Sequence, residues 1–309
     1  MDFEHTLIKP KLSSINSRKD VNLIVEYKDI NFKGIPIIAS NMDSVGTIDM
    51  AKILSKYELS TALHKFIDVK DYNNLDKDVL PYTFFTVGMK EESNLDLLDK
   101  PHMICLDVAN GYTIAFREFV KRTRDKFPKA TIMAGNVASF DGASELFACG
   151  ADIVKAGIGP GEMCTTRKMT GVGINQIDAI KECAYASSLA GKYICSDGGC
   201  RNVGDIAKAF CAGADFVMVG TMFSGHDENS KIENGLVKVR GMSSEEAMVE
   251  RYGKIEDYRT SEGDVKYIPF RGSVHETVKK ILGGLRSACT YTDSKNLMDL
   301  KKAELIYLK

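Results

Sequence analysis

One stretch gathers residue types that could do chemistry together: Lys155-Ala-Gly-Ile-Gly-Pro-Gly-Glu-Met-Cys164-Thr-Thr-Arg-Lys-Met-Thr-Gly-Val-Gly173. An apolar run ends there in a glycine-rich loop that carries a single thiol among hydroxyls and cations. Gly157, Gly159 and Gly161 leave room for backbone groups to converge on a small ligand, and Pro160 stiffens the turn. A free cysteine is by default a small buried apolar residue. The glycine density, and Arg167 and Lys168 close behind, favour instead an accessible thiolate at Cys164, the form that acts as a nucleophile.

Other polar residues fall at or just beyond the ends of apolar runs: Lys65, Asp107, Asn110, Asn136, Thr166, Asp197 and Ser224. Asn136 taken alone reads as a capping residue. Ser196-Asp197-Gly198-Gly199 and Gly220-Thr221-Met222-Phe223 are loops suited to a phosphate, and Asp197 is placed to accept bonds from sugar hydroxyls, so a nucleotide is the natural ligand.

The elements that must position these residues follow a repeating rhythm. Short apolar runs at 34–42, 59–65, 84–88, 103–110, 130–136, 152–157, 192–199 and 215–220 alternate with charged or helical segments. Helical spacing is clearest at 48–57, 114–127, 141–149, 177–189 and 203–210. Eight such units with no pause for a second domain predict an α/β fold, a closed (β/α)8 TIM barrel as a single domain over 1–309, with its reacting face at the strand C-termini. Cys149-Gly-Ala-Asp-Ile-Val-Lys-Ala-Gly157 and Ala212-Gly-Ala-Asp-Phe-Val-Met-Val-Gly220 share one design, read as convergence on the same turn chemistry. The opening 7–18 reads as an arm over the body. After the eighth run comes a charged excursion, 224–270, with no obvious strand or helix. It reads as a lid or flap insertion able to bring Glu262 over the thiol, against the plainer reading of a solvated loop.

Composition sets outer limits. With 309 residues, 44% hydrophobic and 27% charged, the chain suits one well-buried core. A net charge of -1 and the absence of a dense basic run give no reason to expect nucleic acid or a membrane surface. Eight cysteines at irregular spacing, without a Cys-x-x-Cys pair, indicate neither a disulfide framework nor zinc. No signal pattern or membrane-length apolar run is visible, so cytoplasm is the expected location.

Gly157-Ile-Gly-Pro-Gly161, Cys164-Thr-Thr-Arg167, Gly171-Val-Gly173, Ser196-Asp-Gly-Gly199 and Gly283-Gly-Leu-Arg-Ser287 resemble the IMP dehydrogenase and GMP reductase superfamily over almost the whole chain. Leu7-Ile-Lys-Pro-Lys11, Leu106-Asp-Val-Ala-Asn-Gly-Tyr112, Tyr258-Arg-Thr-Ser-Glu-Gly263 and Ser287-Ala-Cys-Thr-Tyr291 look like the reductase branch, and no room exists for an inserted regulatory domain. The resemblance implies that Cys164 attacks C2 of GMP, that ammonia leaves, and that the covalent thioimidate takes a hydride from NADPH to give IMP, a step of purine nucleotide salvage. Thr166 and Glu262 would handle the proton. Asp197, Gly198, Gly199, Gly220, Thr221, Gly241, Met242 and Ser243 match GMP-binding positions. Lys65, Asp107, Val108, Ala109, Ile158, Gly159, Tyr258, Arg259, Ser287, Ala288, Cys289 and Thr290 match the surroundings of the dinucleotide.

The same resemblance implies that Ser17 and Arg18 reach the cofactor of a neighbouring subunit in a homotetramer. It also implies that the carbonyls of Gly159, Gly161, Cys164 and Arg167 hold a potassium ion. The family usually has serine where this chain has Glu162. A carboxylate beside a phosphate dianion is unfavourable unless it points away or pairs with a cation. The alternatives are a dehydrogenase that oxidises IMP to XMP with NAD, for which Arg251-Tyr252 is the tempting pair, and a nucleotide sensor without catalysis.

Overall fold

The structure is a computed structural model that describes residues 2–229, 232–254, 257–258 and 260–308. The eight apolar runs form β1 (Ile37–Ala39), β2 (Ser60–Ala62), β3 (Thr83–Val87), β4 (Met103–Asp107), β5 (Thr131–Val137), β6 (Ile153–Ala156), β7 (Tyr193–Asp197) and β8 (Phe216–Val219). They pair in parallel in sequence order, and β8 returns to β1 to close the barrel. A strand covered by side chains inside and helices outside has no solvent face, which is why these segments read as unbroken apolar runs. All five residues of β3 are buried, for example.

The expected helices appear within two residues of their predicted spans: Ile48–Ser55, Ile114–Lys126, Phe140–Ala148, Gln176–Ala190 and Val203–Ala212. Most start where a side chain satisfies an orphan N–H of the first turn. Thr47, Thr113, Ser139 and Asn202 each do so, and Asn202 forms a reciprocal capping box with Asp205. The charged segments after β2 and β3 give the five-residue helix Val69–Asn73, the 3-10 turn Leu80–Tyr82 and the 3-10 run Met89–Asp96. In the latter Leu95 alone is buried, so no apolar face anchors a longer helix.

The echoed design is structural. Gly150 and Gly213 follow their helices at φ 102° and 121°, a region open to glycine. Two residues on, Asp152 Oδ2 accepts from Ile132 N at 3.0 Å and Asp215 Oδ2 accepts from Ile194 N at 2.9 Å. Each carboxylate thus satisfies an amide of the preceding strand.

Two expectations are corrected. The opening arm contains a strand, Thr6–Ile8, paired antiparallel with Leu305–Tyr307. The excursion after β8 is not structureless: β9 (Ile232–Glu233), β10 (Leu236–Arg240) and β11 (Val265–Pro269) form an antiparallel sheet, with the helix Glu245–Tyr252 between the last two. Val237 and Val239 alternate inward from β10 and pack with Met163 of the thiol loop as a small second core. The final barrel helix, Val274–Tyr291, follows.

Candidate active site

β6 ends at Ala156, and the glycine loop carries the chain to Cys164, just ahead of the short helix Thr166–Thr170. Cys164 is half-buried, whereas the other seven cysteines are buried. Its Sγ donates to Thr166 Oγ1 at 3.2 Å, and Thr166 Oγ1 donates to Glu262 Oε2 at 2.6 Å. A continuous chain of polar atoms therefore links the thiol to a carboxylate from the excursion.

Backbone bonds hold this junction. Thr165 N donates to Glu262 O at 2.8 Å, Asp264 N to Met163 O at 2.9 Å, and Gly241 N to Asp264 O at 2.9 Å. Cys164 and Gly263 form an isolated antiparallel bridge. The approach is so close that a Cβ on Gly263 would lie 2.8 Å from Ser244 N, and one on Gly241 would lie 2.8 Å from Met163 O. Glycine is required at both.

The cations behind the thiol are arranged differently from expectation. Arg167 turns back under its own loop, with Nε on Ile158 O (3.2 Å), Nη2 on Ile174 O (2.5 Å) and Nη1 on Asp2 Oδ2 (3.1 Å). Lys168 is exposed. Arg167 therefore braces the loop, and Asp2 adds a second brace by accepting from Gln176 N at 2.7 Å.

A buried charge cluster lies beneath. Lys155, 1% exposed, pairs with Asp107 and with Asp197 Oδ2 at 3.2 Å, and donates to Asn41 Oδ1 at 3.3 Å. Burial works against the charged forms, but Asp107 and Asp197 hold the ammonium well above its ordinary range, and Lys155 outweighs burial to lower Asp107. Asn136 is more than a cap: its Nδ2 donates to Asp197 Oδ2 at 2.8 Å and Gly157 O at 2.9 Å. Lys155 and Asn41 were not anticipated. The available signal was a lysine inside an apolar strand, which is rarely fully buried without partners.

Two clefts meet at the thiol. The first brings Cys164 and Glu262 together with all eight expected substrate positions, Asp197, Gly198, Gly199, Gly220, Thr221, Gly241, Met242 and Ser243. The second takes in Cys164, Thr166, Lys65, Asp107, Val108, Ala109, Ile158 and Gly159, along with Lys155 and Tyr252.

Ser17, Arg18, Tyr258 and Ser287 to Thr290 line neither cleft. Ser17 and Arg18 lie at a 3-10 turn packed against the helix Val274–Tyr291, which carries Ser287, Ala288, Cys289 and Thr290. Cys289 is fully buried in this chain. Tyr258 is 83% exposed, and Arg259 lies outside the described residues. Of the four carbonyls expected around potassium, Gly161 O accepts from Cys164 N and Arg167 O from Gly171 N. Each keeps a second lone pair, so neutral oxygen donors remain for a monovalent cation.

A thiol at the C-terminal face of a closed parallel barrel, between two clefts and relayed to a carboxylate, defines a class of (β/α)8-barrel enzymes. A family profile described as the IMP dehydrogenase / GMP reductase domain matches residues 85–308. The chain belongs to this family. It is similar to GMP reductase of Caenorhabditis elegans (46% identical, covering 98% of this chain and 90% of the relative). Likewise it resembles GMP reductase of Shigella boydii and GMP reductase 2 of Homo sapiens, each 45% identical over 98% of this chain and 92% of the relative.

Proposed function

We propose that the protein catalyses reductive deamination of GMP to IMP and ammonia with NADPH, as a step in purine nucleotide salvage. The observation that carries this reading is the chain Cys164 Sγ, Thr166 Oγ1, Glu262 Oε2 at the wall between two clefts. In the first cleft GMP presents C2 of the guanine to Sγ. The thiol proton passes through Thr166 to Glu262 as the S–C2 bond forms, and Glu262 returns a proton to the 2-amino group, which departs as ammonia. The product is a covalent thioimidate. NADPH in the second cleft supplies the hydride to C2, and the C–S bond then breaks to release IMP and regenerate the thiolate. Lys65 and the Lys155–Asp107 pair face that cleft and would orient the nicotinamide end.

The excursion serves as the lid, since it supplies Glu262 and Gly241 to Ser243. Potassium on the carbonyls of Gly159, Gly161, Cys164 and Arg167 would supply a fixed positive charge that orders the thiol loop. Ser17 and Arg18 lie away from this chain's own clefts, which supports their serving a neighbour's cofactor in a homotetramer. Among the described residues no helix is long and apolar enough to cross a membrane, and we assign the reaction to the cytoplasm.

The test is the near-ultraviolet absorbance of NADPH. Its loss on addition of GMP, with IMP formed, is the expected result. Reduction of NAD by IMP instead would identify a dehydrogenase, and no change with either pair would leave a sensor.

A further inference from the structure

Glu162, where the family usually has serine, lines the first cleft beside Gly198, Gly199, Gly220 and Thr221. The contact is close: a Cβ on Gly198 would lie 3.1 Å from Gly161 N, the residue before Glu162. Lys266 of β11 approaches Glu162 Oε1 at 3.5 Å, so part of that negative charge is offset from the excursion. Arg201 lines the same cleft. Its backbone is fixed, because the N–H groups of Arg201 and Asn202 both donate to Asp205 Oδ2 within the capping box of Val203–Ala212. Among the described residues its guanidinium pairs with Glu4 at 3.8 Å, and both side chains are more than half exposed, a contact worth little in water. A fixed backbone with a weakly paired planar cation, two residues past a glycine pair at φ 89° and 84°, is suited to meet a phosphate.

We propose that Arg201 and Glu162 act as a pair of specificity-determining residues at the phosphate end of the cleft. Arg201 meets the phosphate of a nucleoside monophosphate, and Glu162, held by Lys266, repels a second phosphate. The proposal rests on the nucleotide reading above. It deepens that reading by assigning the choice among guanosine, GMP and GDP to two side chains rather than to the glycine loops alone.

Titration calorimetry on the full chain, without dinucleotide, compares guanosine, GMP and GDP. Arg201→Ala is expected to narrow the GMP-over-guanosine preference by roughly fivefold, the upper end for a partly exposed charge pair, with Arg201→Lys restoring most of it. Glu162→Gln is expected to raise GDP affinity relative to GMP by a similar factor while guanosine binding holds. Equal weakening of guanosine and GMP by Arg201→Ala, failure of the lysine to rescue, or an unchanged GDP-to-GMP ratio in Glu162→Gln would overturn it. Inosine and IMP separate the two layers: if GMP does not bind but IMP does, the reductase reading fails and the inosine-to-IMP gap decides the role of Arg201. Absence of binding by every ligand would sink both.

Discussion

The two rims of the barrel use the same residue types for opposite ends. At the N-terminal rim, Asp152 and Asp215 each give one oxygen to an amide of the neighbouring strand and meet lysine or arginine from nearby elements, Arg124 and Lys192 for one, Lys301 for the other. These carboxylates join strands to their surroundings. At the C-terminal rim, Asp107 and Asp197 are half-buried around a fully buried Lys155, and they face a cleft. Burial opposes ionisation at both Asp215 and Asp107. Lys301 does not outweigh it, so Asp215 is raised, whereas Lys155 outweighs it and Asp107 is lowered. What separates a structural acid from a site acid is therefore the strength of its partner and the open space beside it.

The comparison breaks most sharply at the thiol. Cys164→Ala is expected to lower turnover by on the order of 10⁴ or more while GMP affinity stays within a few-fold, read by NADPH absorbance and calorimetry. In the unaltered chain Cys164 should alkylate first, since burial pushes Cys105 and Cys183 up to about 12 and Cys211 and Cys289 up to about 11. GMP should protect it and adenosine monophosphate should not. Uniform labelling of all eight would count against a special site.

Next comes Glu262→Gln, expected to slow GMP deamination by roughly 10²- to 10⁴-fold. A stopped-flow burst of NADPH from IMP and NADP, run at alkaline pH, should survive, because no amine departs in that step. Equal loss of both would make Glu262 an anchor of the excursion instead.

The rims themselves are compared by one substitution on each. Lys155→Met leaves Asp107 and Asp197 unpaired and should cost roughly 3–5 kcal/mol in chemical denaturation, together with activity. Asp107→Asn gives a second reading if the first variant does not fold. Lys301→Met should cost about 1–3 kcal/mol and leave KM for GMP in place. A KM change in Lys301→Met equal to that in Lys155→Met would erase the distinction.

The smallest effect is acid titration. Burial, aided by Arg251 and opposed by Asp43, lowers His64 from 6.5 to about 4. The unfolded chain takes up a proton first, so this contribution is full above pH 6.5 and is lost as pH falls from 6.5 to about 4. The melting temperature should drop by a few degrees across that window, and His64→Gln should flatten the slope. An unchanged slope would assign acid lability elsewhere.

The barrel was legible because parallel strands leave unbroken apolar runs and helices leave a 3.6-residue period. The thiol, its hydroxyl and the glycine loops were legible because these residue types stand close together in sequence. What escaped was of two kinds. The sheet β9–β11 buries little, and only Val237 and Val239 carry a strand pattern, too short a signal in a charged segment. Lys155 and Asn136 meet Asp197 from the neighbouring strands β5 to β7, and closure of the barrel then brings Asn41, beyond the end of β1, to Lys155. Arg167 was misjudged because sequence proximity to Cys164 says nothing about direction, and its side chain faces the other way.

The bond between Thr166 and Glu262 spans 96 residues of chain. That contact joins the thiol loop to the excursion outside the barrel, so it forms only once both have folded, whereas every barrel strand pair but the closing one joins sequence neighbours. During refolding, helical signal and barrel burial should therefore return ahead of activity. Until the excursion docks, the Cys164 thiol and the Thr166 hydroxyl would stand without the Glu262 carboxylate.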